Sequence, residues 1–155
     1  MCAAKKAPAQ KPAAAKKSGR VSYGSGTADD PWLLKTPSLS SEYQAWRDEA
    51  AGALIVQVGS TKLSYQLRGI EDLAAMLGAR GDWVALGNAD EGKPTAEGSI
   101  EDWARSAKNP VKGYYGLRKG YRGRFANYVT PVLELLGLAE LEHGPKNNRA
   151  RAAQG

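Results

Sequence analysis

Cysteine and histidine are almost missing from this 155-residue chain, which holds one of each, Cys2 and His143. A single cysteine cannot close an intramolecular disulfide, which suits a reducing compartment. One Cys and one His cannot furnish a structural zinc site with its usual ligand set. A Ser-His-Asp triad would have to use His143, which stands beside a turn near the C-terminus, and no G-x-S-x-G occurs in the chain. His143 therefore reads as a turn or wing residue. Long apolar runs are lacking too. None approaches transmembrane length and the N-terminus has no apolar segment of the secretory kind, so the expectation is a cytoplasmic protein with no membrane partner.

Acidic residues are the third scarcity, and a local one. Residues 1–20, MCAAKKAPAQKPAAAKKSGR, contain none, and neither do residues 103–133. The first stretch is Ala, Lys and Pro with almost nothing to bury, so residues 1–25 read as a disordered basic tail. Its Lys5, Lys6, Lys11, Lys16, Lys17 and Arg20 account for the entire net charge of +6. The body is neutral overall but sorted. Residues 103–133 carry Arg105, Lys108, Lys112, Arg118, Lys119, Arg122 and Arg124 unopposed, while most acids precede residue 103. Sorted charge makes a local field that draws anionic partners even at zero net charge.

Hydrophobic periodicity predicts a single α+β domain over residues 26–152, mainly strands to 68, mainly helices from 69 to 136, and a wing-like hairpin over 137–152. ALIVQVGSTKLSYQL, residues 53–67, alternates on both sides of Gly59-Ser60-Thr61 and predicts a hairpin. SEYQAWRDEAAG, residues 41–52, is read as a further strand, giving a small N-terminal antiparallel sheet. Ile70, Leu73, Ala74 and Leu77 fall at helical spacing with acids in the first turn, and Gly78 is expected to stop that helix. Ser99 predicts the N-cap of a short second helix. Phe125, Val129, Val132, Leu133 and Leu136 form the stripe of a third, with a kink or restart expected at Pro131 and a Schellman ending at Gly137-Leu138. LAELEHGPKNNRARA then reads as strand, turn over residues 144–147, and basic return strand. Helices followed by such a hairpin are compatible with a winged helix-turn-helix.

The stretch NPVKGYYGLRKGYRGRFANYV, residues 109–129, carries the functional signal. Lys and Arg bind phosphates, and aromatic rings stack on exposed bases. Lys112, Arg118, Lys119, Arg122 and Arg124 are candidates for the first role and Tyr114, Tyr115 and Tyr121 for the second. Gly113, Gly116, Gly120 and Gly123 would let backbone amides approach an anion closely. Lys146, Asn148, Arg149 and Arg151 form a second candidate contact at the wing, although Asn147-Asn148 is equally ordinary turn chemistry. The resulting expectation is a non-catalytic nucleic-acid-binding protein of low sequence specificity, DNA favoured over RNA, with the nucleoid as one location. Tail and basic segment would act together by releasing counterions.

Three other readings stay open. The aromatics and arginines of the segment could instead be core residues and partners of the acid-rich first half. A protein partner could dock on an exposed Trp among Trp32, Trp46, Trp83 and Trp103, or along GTADDPWLLKTP as an edge strand. Asp82 or Asp90 with Glu91, beside Lys93, are the types of residue that could hold Mg²⁺ and activate water in a nuclease, but Gly, Asn and Pro surround them as in a surface loop. No G-x-x-x-x-G-K-S/T is present, and no cofactor or metal is implied.

The blocks GTADDPWLLKTP, GDWVALGNADEGKP, NPVKGYYGLRKGYRGRF and LGLAELEHGPKNNRARA resemble, in order, those of a bacterial family of small proteins carried as a domain of unknown function, from about Gly26 to Arg151. That resemblance implies one domain of conserved size and transfers no functional residue. The Ala/Lys/Pro tail is separately similar in composition to tails of histone-like proteins.

Overall fold

The computed structural model describes residues 23–87, 93–117 and 124–153. The expected tail therefore lies outside the described residues, apart from its last few positions. Four strands come first: β1 (Trp32–Lys35), β2 (Glu42–Asp48), β3 (Ala53–Val58) and β4 (Thr61–Gln66). They form an antiparallel meander in the order β1-β2-β3-β4. The expected strand over 41–52 and hairpin over 53–67 are both present, the hairpin turning where Val58 pairs with Thr61. Alternation decides which side is buried. Tyr43, Ala45, Leu54, Val56, Leu63 and Tyr65 face inward, and the residues between them face out.

Helix α1 (Gly69–Arg80) begins where Gly69 passes so close to the Phe125 and Tyr115 rings that a Cβ would stand 3.0 Å from the first. The helix does not stop at Gly78. It continues to Arg80 and closes at Gly81, whose φ of 71° supplies the left-handed cap, with its N–H on the Leu77 carbonyl. Gly78 is tolerated inside because a mid-helix glycine costs only about 1 kcal/mol and Leu73 and Leu77 on the same helix are fully buried.

After α1 come the short strand β5 (Val84–Ala85), α2 (Ile100–Arg105), α3 (Phe125–Leu135), β6 (Ala139–Leu141) and β7 (Arg149–Ala152). The last two strands and β5 make a second antiparallel sheet in the order β5-β7-β6. Ser99 caps α2 as expected, its Oγ accepting the Asp102 N–H at 3.1 Å. The third helix ends in the expected Schellman pattern, with Leu138 N–H on the Leu133 carbonyl and Gly137 N–H on that of Glu134.

The restart expected at Pro131 does not occur, and α3 runs as one element from Phe125 to Leu135. Side chains supply donors in the turn that Pro131 disturbs: Thr130 Oγ1 bonds the Ala126 carbonyl at 2.6 Å, and Tyr43 Oη bonds that of Tyr128 at 2.7 Å. Every residue of α3 from Phe125 to Leu133 is buried. A helix enclosed on all sides belongs to a core, and here the core lies between the two sheets with α3 running through it. The molecule is thus an α+β protein with a four-stranded antiparallel sheet near its N-terminus.

The N-terminal turn is folded onto this frame. Asp30 gathers the N–H groups of Ser25, Gly26 and Thr27 on its carbonyl, and Leu33 N–H bonds the Tyr23 carbonyl at 2.9 Å. The outer edge of β1 is therefore occupied at Leu33 by this chain's own residues, where the sequence offered it as a docking strand.

Candidate nucleic-acid interface

The basic segment is anchored at both ends. Asn109 is buried and uses its whole side-chain amide: Nδ2 donates to the carbonyls of Trp103 and Gly113 at 2.7 and 2.9 Å, and Oδ1 accepts the N–H groups of Val111 and Gly113. This clamp fixes a turn with Lys112 exposed at its tip in the left-handed region, φ 60°. The chain then runs alongside β4, with Gln66 N–H on the Tyr115 carbonyl and Leu117 N–H on the Ser64 carbonyl, both 2.8 Å. It re-enters at Arg124, the residue before α3. Arg118, Lys119, Tyr121 and Arg122 lie outside the described residues, as do Asp90 and Glu91 of the acidic loop.

Tyr115 does not offer its ring to a base. It is fully buried, stacked at 5.3 Å on Trp103 and 5.0 Å on Phe125, and its hydroxyl donates to Asp72 at 2.8 Å. Burial and the Asp72 carboxylate together push that phenol well above its ordinary pKa. Tyr114 is half-buried, lying over Gly116 and 6.0 Å from the Arg105 guanidinium. The core reading of the segment's aromatics holds for Tyr115, Phe125 and Tyr128, and Tyr114 packs against that core.

Nor does the first turn of α3 await a phosphate. Arg124 provides no side-chain cap, and the Ala126 N–H is taken at 2.9 Å by Glu101 Oε1, with Phe125 N–H bonded to the same carboxylate. Glu101 is wholly inaccessible, and its other oxygen meets Arg105 Nε at 3.3 Å. Burial raises its carboxyl pKa above the ordinary value, partly opposed by the amides and by Arg105. The anion that the positive end of α3 attracts comes from within the protein. Glu101 lies in the first turn of α2, and its spacing of four from Arg105 is the signal of it that the sequence carries.

At the wing, Asn148 is buried and acts as turn chemistry, bonding both the N–H and the carbonyl of Gly144. Arg149 holds Glu142 at 2.7 Å and Arg151 holds Glu140 at 2.9 Å. Both guanidiniums also flank Trp83, at 5.2 and 4.5 Å from its ring. Lys146 is exposed. Of this second candidate set, Asn148 thus serves the turn, and both arginines already hold a carboxylate. Along the chain the two sets are separated by the eleven residues of α3.

His143 ties the hairpin to the rest. Nδ1 donates to the Pro37 carbonyl at 2.9 Å and Nε2 faces Glu134 Oε2 at 2.7 Å, so both nitrogens point at acceptors. Burial lowers its pKa, but the Glu134 carboxylate and the Pro37 carbonyl outweigh that and the net shift is upward. A raised histidine stabilises the fold below its unfolded value of 6.5 and loses that contribution as pH rises through the folded value. Thermal melts of wild type and His143→Ala are expected to differ at pH 6, by under about 1 kcal/mol because the pair is partly exposed, and to converge by pH 9. A gap that is constant across pH would count against the imidazolium.

Among the described residues, no three His, Cys, Asp or Glu side chains come together to hold a metal ion, and no helix is long and apolar enough to cross a membrane. Fold and site define a small α+β protein in which two antiparallel sheets enclose one helix and a basic segment runs along the sheet edge. The chain belongs to a family of unknown function, DUF6855, which matches residues 24–153. No curated protein and no solved structure matches it.

Proposed function

We propose that this protein binds nucleic acid without catalysing a reaction, reading little sequence, through the basic segment between Asn109 and Phe125 and the basic tail. One observation carries the reading. Residues 103–133 hold seven Lys or Arg and no acid, and of these Lys112 stands exposed on a turn that a buried asparagine holds rigid. Lys108 is exposed as well. Positive charge with no carboxylate in its own segment suits a polyanion.

The second half of the chain supports a winged helix-turn-helix as its finer architecture. Its order is α1, β5, α2, α3, β6, β7, and β5 pairs with the hairpin's second limb. What departs from that class is the use of α3. The four-stranded sheet covers it, so no face remains for a major groove. Low sequence specificity follows, because phosphate contacts position a protein without reading bases.

The test is a fluorescence-anisotropy titration of duplex DNA and single-stranded RNA across salt. It compares the full chain, a chain lacking residues 1–20, and Arg118, Lys119, Arg122 and Arg124 changed together to Ala. Log affinity is expected to fall linearly with log salt, and both alterations should flatten the slope, the substitution by about three to four units. Lack of binding at low salt by the folded chain would overturn the proposal and favour a protein partner.

A further inference from the structure

Enclosure of α3 leaves open which form of nucleic acid the surface fits. Resting on the binding reading above, we propose that the outer face of the four-stranded sheet is a stacking platform for unpaired bases, centred on Trp46, and that the preferred ligand is single-stranded.

Of the four tryptophans, Trp32 is in the core, Trp103 packs against it, and Trp83 lies between two guanidiniums. Trp46 alone stands on the outward side of the β1–β4 sheet, half-buried, with the exposed Lys62 ammonium 5.7 Å from its ring centre. Around it the outward positions are Gln44, Ile55, Gln57 and Ser64. An aromatic plane beside amide and hydroxyl groups is what an unstacked base requires, a π face to lie on and partners for its edge. A duplex hides those faces and presents only edges in its grooves.

Strand register joins this platform to the basic segment. Trp46 lies opposite Ile55, Ile55 opposite Ser64, and the Ser64 carbonyl accepts the Leu117 N–H. At about 4.8 Å between neighbouring strands, Trp46 is roughly 14 Å from the segment, a distance that a few nucleotides cover. Two acids share the outward side. Glu42 lies opposite Lys35, and Asp48, at the far end of β2, accepts the Ala51 N–H. Lys62 therefore makes the β4 side of Trp46 positive, which is where a strand's phosphates would run.

Full-length wild type, Trp46→Ala and Trp46→Phe would be titrated with labelled oligo(dT) and with a duplex of equal length at low salt. The alanine variant is expected to weaken oligo(dT) binding about fivefold to a hundredfold and to change duplex binding by less than about twofold. The phenylalanine variant should retain most of the oligo(dT) affinity, because its ring still stacks. Oligo(dT) should also quench wild-type tryptophan emission more than that of Trp46→Phe, a readout that does not depend on the alanine variant folding well. If wild type binds both ligands and neither substitution separates them, the platform is wrong while the nucleic-acid reading stands. If wild type binds neither, both fall.

Discussion

Glu101→Ala should lower folding stability by about 3 kcal/mol or more, read from denaturant melts followed by tryptophan fluorescence. The carboxylate is inaccessible and answers two backbone amides of α3 and one guanidinium. Truncation leaves those buried donors unpaired, which costs more than the net worth of the bonds themselves. Glu101→Gln keeps one acceptor oxygen and should lose about 1 to 2 kcal/mol. Its pH behaviour gives a second check. Because burial raises the carboxyl above its ordinary 4.5, the folded state holds the proton more tightly than the unfolded chain. Ionisation of Glu101 therefore removes stability as pH rises from the unfolded value through the folded one. The amide has no such term, so wild type should lose ground relative to Gln over that window. A loss below about 1 kcal/mol in the alanine variant would show that water or another group replaces the carboxylate.

Tyr115→Ala is the second large effect, expected at about 3 to 5 kcal/mol by thermal or denaturant melting, as for other buried aromatics cut to alanine. Its ring packs against both Trp103 and Phe125, and its hydroxyl reaches Asp72, which also holds Arg68 at 2.8 Å. Tyr115→Phe should cost about 1 to 2 kcal/mol, the worth of a hydrogen bond to a charged acceptor, while leaving polyanion binding unchanged. A tyrosine that touched bases would behave in the opposite way, with binding lost and stability kept. A small stability loss for the alanine variant would return Tyr115 to the surface.

Local patterns in the sequence carried most elements of the fold. The alternation of Leu63, Tyr65 and Leu67, the Ser99 cap and the Gly137-Leu138 ending are all short-range signals, and short-range physics produced those features. Two misreadings came from the same source. Gly78 reads as a stop and Pro131 as a kink or restart because each carries a local penalty, yet α1 runs on past Gly78 with Leu73 and Leu77 buried, and α3 does not restart at Pro131.

The candidate site was less legible because its residues act through distant partners. No Ser, Thr, Asp or Asn precedes Phe125, so the sequence exposes a helix start without a local cap. That Glu101, on a different helix, fills the vacancy is a tertiary fact. The pairing of Arg149 with Glu142 and of Arg151 with Glu140 follows only from the register of the final hairpin. Tyr114 and Tyr115 are neighbours in a chain of unopposed cations, and nothing in that neighbourhood distinguishes the ring that is buried and stacked from the one left half-exposed.

The enclosure of α3 has a consequence for how the chain can be divided. Its outer side is supplied by the meander, through Tyr43 and Tyr65, and its first turn by Glu101 from α2. A cut between Gln66 and Gly69 would yield a sheet with one bare apolar side and a helical half whose central helix lacks both its cover and its cap. Neither piece is a module that could be lifted out, recombined or borrowed alone. The two sheets share one keystone and stand or fall as a unit.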